Sequence, residues 1–366
     1  MATQNSHGNG AVDGQKQQHV PRLSQPPPSN STSYVIPQFE GELISIPGSK
    51  SVFRVLTSAV QTDDAFSVFS SGGVLADAPG FHHHEGAHDI FIVTKGFIKL
   101  WSGDRCKVLG PGDFGSVPPG IIHNPQTLGP YTESFGLITP GAWIDFFRHV
   151  CETYTGIQLP EHDDRNLASI LIPKVMSAPP GKFDVHFHPH HQGCAVSEWG
   201  PEDEVLPDAA EPYYLRANTG PRWLLGGVMS RPFITTKQSE GRFAISSIES
   251  SNQYETSALG RSLVFPNVHH CFTVFEGKLE ILIGGTTEPC LITEGETLFV
   301  PAGVAFSLCF KSKYVRFWSF ASGDGIEAVV HEAGKKLDGF VLPDKVVEWD
   351  DGKVTEAYKK LNVEVV

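Results

Sequence analysis

His82, His84, Asp89 and His123 are the residues of this chain whose types and spacing could do chemistry. His82 and His84 flank one residue, and alternate side chains of an extended strand point the same way, so both imidazoles can aim at one point. Asp89 follows a short turn. His123 closes the segment Gly112-Asp113-Phe114-Gly115-Ser116-Val117-Pro118-Pro119-Gly120-Ile121-Ile122-His123 after a corner rich in glycine and proline. Three neutral imidazoles and one carboxylate form an N/O ligand set suited to one divalent transition metal ion: copper, iron, nickel, manganese or zinc. An ion held this way keeps an open position at which a hydroxylated aromatic can bind. Asp89 is then the natural acceptor of its proton.

Neighbouring polar residues are weighed against this set. Strand alternation turns His83 and His88 away from it, and Glu85 stands next to His84 in the wrong register. His186, His188, His190 and His191 form a second cluster without a closing proline-glycine-histidine segment, and they read as a solvated linker. Phe81, Phe91, Trp101, Phe114 and Trp143 read as core, with one or two free to line a pocket for a flat ligand.

The elements that must position these residues are short strands. The 37 glycines and 27 prolines are spread along 366 residues, which predicts many strands joined by tight turns. Length and a 40% hydrophobic content allow two cores. Ile90–Trp101 reads as two strands meeting at a Lys95-Gly96 turn. Helices are expected at 142–153, near 163–172, at 326–336 and at 355–361. The phrase Lys95-Gly96-Phe97-Ile98-Lys99-Leu100 returns as Glu276-Gly277-Lys278-Leu279-Glu280-Ile281. Gly112–Gly120 returns as Gly295–Gly303, at an offset of about 180 residues. Turn glycines at matching places mean a duplicated barrel.

The expected organisation is a disordered tail at 1–33, an N-terminal barrel with the metal site at 34–154 and a linker at 155–210. A C-terminal barrel without metal at 211–335 and a C-terminal extension at 336–366 complete it. A formal charge of −13 argues against nucleic acid or an anionic membrane as partner. No run of eighteen apolar residues exists to span a bilayer. With no apolar leader and six widely spaced cysteines, the expected location is cytoplasmic, with reduced thiols.

The two phrases resemble the paired motifs of the cupins. His82, His84, Asp89 and Gly96 fit the first motif's spacing; Gly112, Pro118, Gly120 and His123 fit the second. Over roughly residues 37–335 the chain resembles bicupins, which implies an all-β fold of two jelly-roll barrels. It is most similar to the fungal quercetin 2,3-dioxygenase (quercetinase) family, through Phe53-Arg54-Val55-Leu56-Thr57-Ser58, Pro212-Tyr213-Tyr214-Leu215, Gly220-Pro221-Arg222-Trp223-Leu224-Leu225 and Gly241–Glu249.

That resemblance implies a metal-dependent dioxygenase opening a flavonol with release of carbon monoxide, copper as its metal, and Asp89 as ligand and base. The implied partners are a small aromatic substrate and dioxygen, with a homodimer admitted and neither nucleic acid nor membrane. The family places Glu where this chain has Asp89, which reaches roughly 1.5 Å less. An oxygenase or isomerase acting on another enolic or phenolic aromatic therefore stays open, as does a metal-poor binding protein. In the second barrel Leu263, Phe265 and Phe306 stand at ligand positions and only His270 is ligand-type, so no metal is expected there.

Overall fold

The computed structural model describes residues 19–75, 78–254 and 257–366. It is an all-β molecule of two jelly-roll barrels carrying a few short helices. An eleven-stranded sheet builds the first barrel, and an eight-stranded and a five-stranded sheet build the second.

The chain does not divide cleanly between them. Strand Tyr34–Ile36 pairs antiparallel with Thr297–Val300 of the second barrel. Tyr213–Leu215 pairs with Phe114–Val117 of the first. Each barrel thus borrows an edge strand from the other, which removes two unpaired edges at once. One apolar cluster spans the junction, joining Ile90, Ile92, Phe114 and Leu137 to Phe233, Ile245 and Phe320. The site-bearing barrel therefore rests on a rigid neighbour.

Several expectations change. Lys95-Gly96 is not a hairpin turn. His88–Ser102 is one strand of 15 residues, in which Gly96 adopts φ +66° at the register shift between Lys95 and Phe97 against His123–Thr139. A Cβ there would meet the Tyr131 carbonyl, so the bulge needs glycine. The tail is shorter than the sequence suggested. Val20 is buried, the Leu23 N–H donates to the Val35 carbonyl at 2.8 Å, and Arg22 pairs with Glu296. Residues 1–18 lie outside the described residues. The linker helix spans Leu167–Ser177, later than expected, because the Asn166 side chain caps it by accepting from the Ser169 N–H at 2.9 Å. Helix Ile326–Ala333 stops before Gly334, and Lys335–Lys336 pairs instead with Trp223–Leu224. Asp350 caps the last helix, so it begins at Asp351 rather than Thr355.

The second barrel's interior holds His270 among Phe265, Phe272 and Phe306, with ring centroids 4.6, 5.5 and 5.2 Å away. Nearby, the Gly325 N–H donates to Glu327 Oε1 at 2.7 Å, while Glu327 Oε2 and both His270 nitrogens have no partner. Burial pushes the His270 imidazole down to about 3 and the Glu327 carboxyl up to about 7.

The two groups pull stability in opposite directions. Unfolded His270 takes a proton near pH 6.5 and the folded one does not, so stability falls as pH drops below 6.5, by about 2 kcal/mol at pH 5. Glu327 binds its proton more tightly when folded, so its contribution is lost as pH rises from about 4.5 to about 7. Glu327→Gln should therefore stabilise the protein by roughly 3 kcal/mol at pH 8 and by almost nothing at pH 4.5. Denaturant titrations at the two pH values check this; an equal change at both would contradict it.

Candidate metal centre

Four buried side chains converge at one end of the first barrel: His82, His84, Asp89 and His123, with their ligand atoms all within 4.8 Å of one another. Among the described residues no other three ligand-type side chains bring their ligand atoms all within that distance of one another.

Each member is set by a different strand contact. His82 sits in strand His82–His83, directly opposite His123, which opens strand His123–Thr139. Asp89 lies at the start of His88–Ser102, clamped between Val117 on one side and Ile138 on the other. The Gly120 N–H bonds to the His84 carbonyl at 2.6 Å and fixes the glycine-proline corner that delivers His123.

The hydrogen bonds choose the tautomers. His82 Nδ1 donates to the Gly80 carbonyl at 2.8 Å, His84 Nδ1 to Asp184 at 2.5 Å and His123 Nδ1 to Ile121 at 2.9 Å. With every Nδ1 committed to a carbonyl, each Nε2 is left to face the centre as a lone-pair donor.

Asp89 reaches that centre despite its short side chain. Its Oδ2 is 3.2 Å from both His84 Nε2 and His123 Nε2, and its Oδ1 is buried with no partner. Two donors each about 2.1 Å from a shared ion are roughly 3.0–3.4 Å apart. The donor set therefore fits a single transition metal ion, and the orphaned Oδ1 is a lone pair awaiting a partner.

Electrostatics agree. Burial drives the His82 imidazole down to about 3, helped by His123. Burial would also lower His84, but the Asp89 carboxylate outweighs it and the net shift is upward. Burial alone would raise Asp89; His84 and His123 overcome it and hold the carboxyl well below the usual range.

A cavity of ≈ 180 Å³ opens from Asp89 and His82. Phe53, Phe69 and Phe147 wall it, with Trp143, Val185 and Phe187 at the linker side. Phe53 and Phe147 stack at 4.3 Å, giving a flat aromatic wall. Ser71 and Ser134, hydrogen-bonded to each other at 2.8 Å, add the polar contacts an apolar pocket needs for orientation.

The other candidates fall elsewhere. Of the five aromatics weighed as core or pocket, Phe91 and Trp143 line the cavity; Phe114 is in the inter-barrel core, and Phe81 packs against Trp101. His88 is buried outside the centre, bonded to Ser116 Oγ at 2.7 Å and to Arg242 at 3.3 Å. Glu85 is exposed.

The linker is more than a solvated stretch. His186–Phe187 forms a strand paired with His82–His83, which stacks His186 on His83 at 4.9 Å and sets His188 Nε2 at 2.7 Å from His83 Nδ1. These rings face away from the cavity, so His186→Ala should leave bound metal unchanged in elemental analysis. A halved content would make the linker cluster a second site.

Sequence reasoning missed Phe53, Phe69, Phe147, Val185, Phe187 and Asp184. Phe53 and Phe69 carried a signal, since alternate apolar positions of Val52–Leu56 and Phe66–Phe69 must fill a barrel interior.

Comparison with known proteins points the same way. Residues 75–131 match the cupin domain family. The chain is 26% identical over 320 residues to quercetin 2,3-dioxygenase of Aspergillus japonicus, covering 80% of this chain and 90% of that one. It is 30% identical over 133 residues to quercetin 2,3-dioxygenase of Bacillus subtilis, covering 36% of this chain and 39% of that one. The solved structure of protein Ylba from E. coli shares the fold at 10% identity, with a TM-score of 0.51 over 81% of this chain and 92% of that one. The chain is thus a two-barrel member of the cupin superfamily and a homologue of the quercetin 2,3-dioxygenases.

Proposed function

We propose that this chain is a metal-dependent dioxygenase that cleaves a flavonol such as quercetin and releases carbon monoxide. His82, His84, His123 and Asp89 hold the ion, and copper is the metal favoured by the similarity to the quercetin 2,3-dioxygenases. The observation that carries the reading is Asp89, whose Oδ2 meets two histidines while its buried Oδ1 stands unpartnered beside a cavity with an aromatic wall.

When bound, the ion would acidify a substrate hydroxyl and polarise the ring system that meets dioxygen. The protein's own groups do the rest. The stacked Phe53–Phe147 wall holds a flat substrate, and Ser71 and Ser134 offer hydroxyls to its oxygens. Asp89 is ionised at neutral pH, and Oδ1 receives the proton that leaves the substrate hydroxyl. The three carbonyls that accept from the Nδ1 atoms hold the imidazole rings oriented toward the centre.

The balance is one dioxygen consumed per flavonol, one carbon monoxide released and one phenolic ester formed. Purified, metal-loaded protein given quercetin should consume oxygen and release carbon monoxide in equal amounts. Oxygen uptake without carbon monoxide would move the assignment to another enolic or phenolic aromatic. Neither gas exchange nor bound metal would leave a binding protein.

A further inference from the structure

The turn between His84 and Asp89 is held by one residue of the linker. The backbone N–H groups of Glu85, Gly86 and Ala87 all donate to the Asp184 carboxylate, at 2.6, 2.9 and 3.1 Å. The carbonyl of the same residue accepts from His84 Nδ1 at 2.5 Å and from Trp143 Nε1 at 3.0 Å. Trp143 in turn sets its ring edge against His84, centroids 4.9 Å apart, and lines the cavity. On the opposite side Arg242, from the second barrel, donates to the Gly86 carbonyl at 3.2 Å.

Three amide donors on one carboxylate make a charge-assisted cradle that fixes a turn more firmly than water could. The turn carries the backbone into Asp89, whose short side chain leaves little slack in reaching both histidines. The same residue fixes the His84 tautomer, which decides whether Nε2 has a lone pair to offer. Val185 and Phe187, immediately after Asp184, cover the cavity.

We propose that Asp184 is a positioning residue for the metal centre. By holding the Glu85–Ala87 turn and His84 Nδ1 it brings His84 and Asp89 to one ion, and it ties that convergence to the seating of Val185 and Phe187 over the cavity. The proposal rests on the ligand assignment made above, but not on the identity of the substrate.

The test uses full-length protein and copper(II) alone. Copper affinity by chelator competition and the copper(II) paramagnetic resonance spectrum are measured for Asp184→Asn, Asp184→Ala and a control, Asp163→Asn. Asp163 anchors the same linker elsewhere, accepting from the Gly48 N–H at 2.8 Å and pairing with Arg165. Both Asp184 variants should bind copper about 10- to 100-fold more weakly, with altered hyperfine splitting. The control should match wild type in both.

Affinity within twofold of wild type and an unchanged spectrum in both Asp184 variants would overturn the proposal. So would an equal loss in the control, which would mean that any loosening of the linker suffices. If the variants fold poorly, hydrogen exchange of wild type answers the same question. Copper(II) should slow exchange of the Glu85, Gly86 and Ala87 amides, and unchanged exchange rejects the coupling. Wild type that binds copper(II) as expected yet leaves quercetin untouched would remove the flavonol assignment and leave the role of Asp184 standing.

Discussion

Asp89→Ala should abolish turnover and leave the first barrel folded. In the proposed reading the carboxylate is one ligand and, among the described residues, the acid side chain that stands in the cluster and lines the cavity. Losing a general base costs about 10²- to 10⁴-fold, and losing a ligand adds to that. Folding suffers less, because Asp89 is fixed by backbone pairing to Val117 and Ile138 rather than by its side chain. Asp89→Asn separates the two roles, since it keeps the shape and one oxygen but cannot take a proton. It should retain part of the metal and almost none of the activity. Steady-state kinetics beside elemental analysis read both quantities. A variant at this position with normal turnover would show that the proton goes elsewhere.

Gly136→Val closes the cavity without touching the centre, and should cost at least about 100-fold in kcat/KM. Gly136 stands directly across from Phe69 in the paired strands, and a Cβ on it would lie 2.6 Å from Phe69 Cε2. The ring cannot retreat. Phe53 and Phe147 pack edge-on against it at 6.0 and 5.9 Å, so it must swing into the space a flat substrate would fill. Overpacking of this kind costs about 1–3 kcal/mol of stability, a loss a barrel of this size tolerates. The four ligand-type side chains lie on other positions, so bound metal should remain at the wild-type level. Kinetics within fivefold of wild type would mean that the substrate does not occupy this cavity.

The convergence of His82, His84, Asp89 and His123 was legible because it obeys local rules. His82 and His84 share a strand face, and His123 follows a glycine-proline corner whose conformation few other residues permit. The duplicated phrases revealed two barrels for the same reason, since turn glycines punctuate strands at fixed places. The same punctuation misled at Lys95-Gly96, where a glycine at positive φ serves a bulge within one strand as well as it would serve a hairpin.

What escaped was everything that depends on distant pairing. Nothing in the residues of Tyr34–Ile36 or Tyr213–Leu215 says that each strand crosses to the other barrel. Asp184 sits in a polar linker without periodicity, and only the fold reveals three amide donors around it. Val20 and Leu23 are two apolar residues in a polar stretch, too few to signal that the chain around them packs down.

The most direct test is anomalous diffraction from crystals grown with metal-replete protein. One ion should appear in the first barrel, about 2.0–2.2 Å from the Nε2 atoms of His82, His84 and His123 and from a carboxylate oxygen of Asp89. Strong anomalous density elsewhere, or none among these four side chains, would contradict the account at its root.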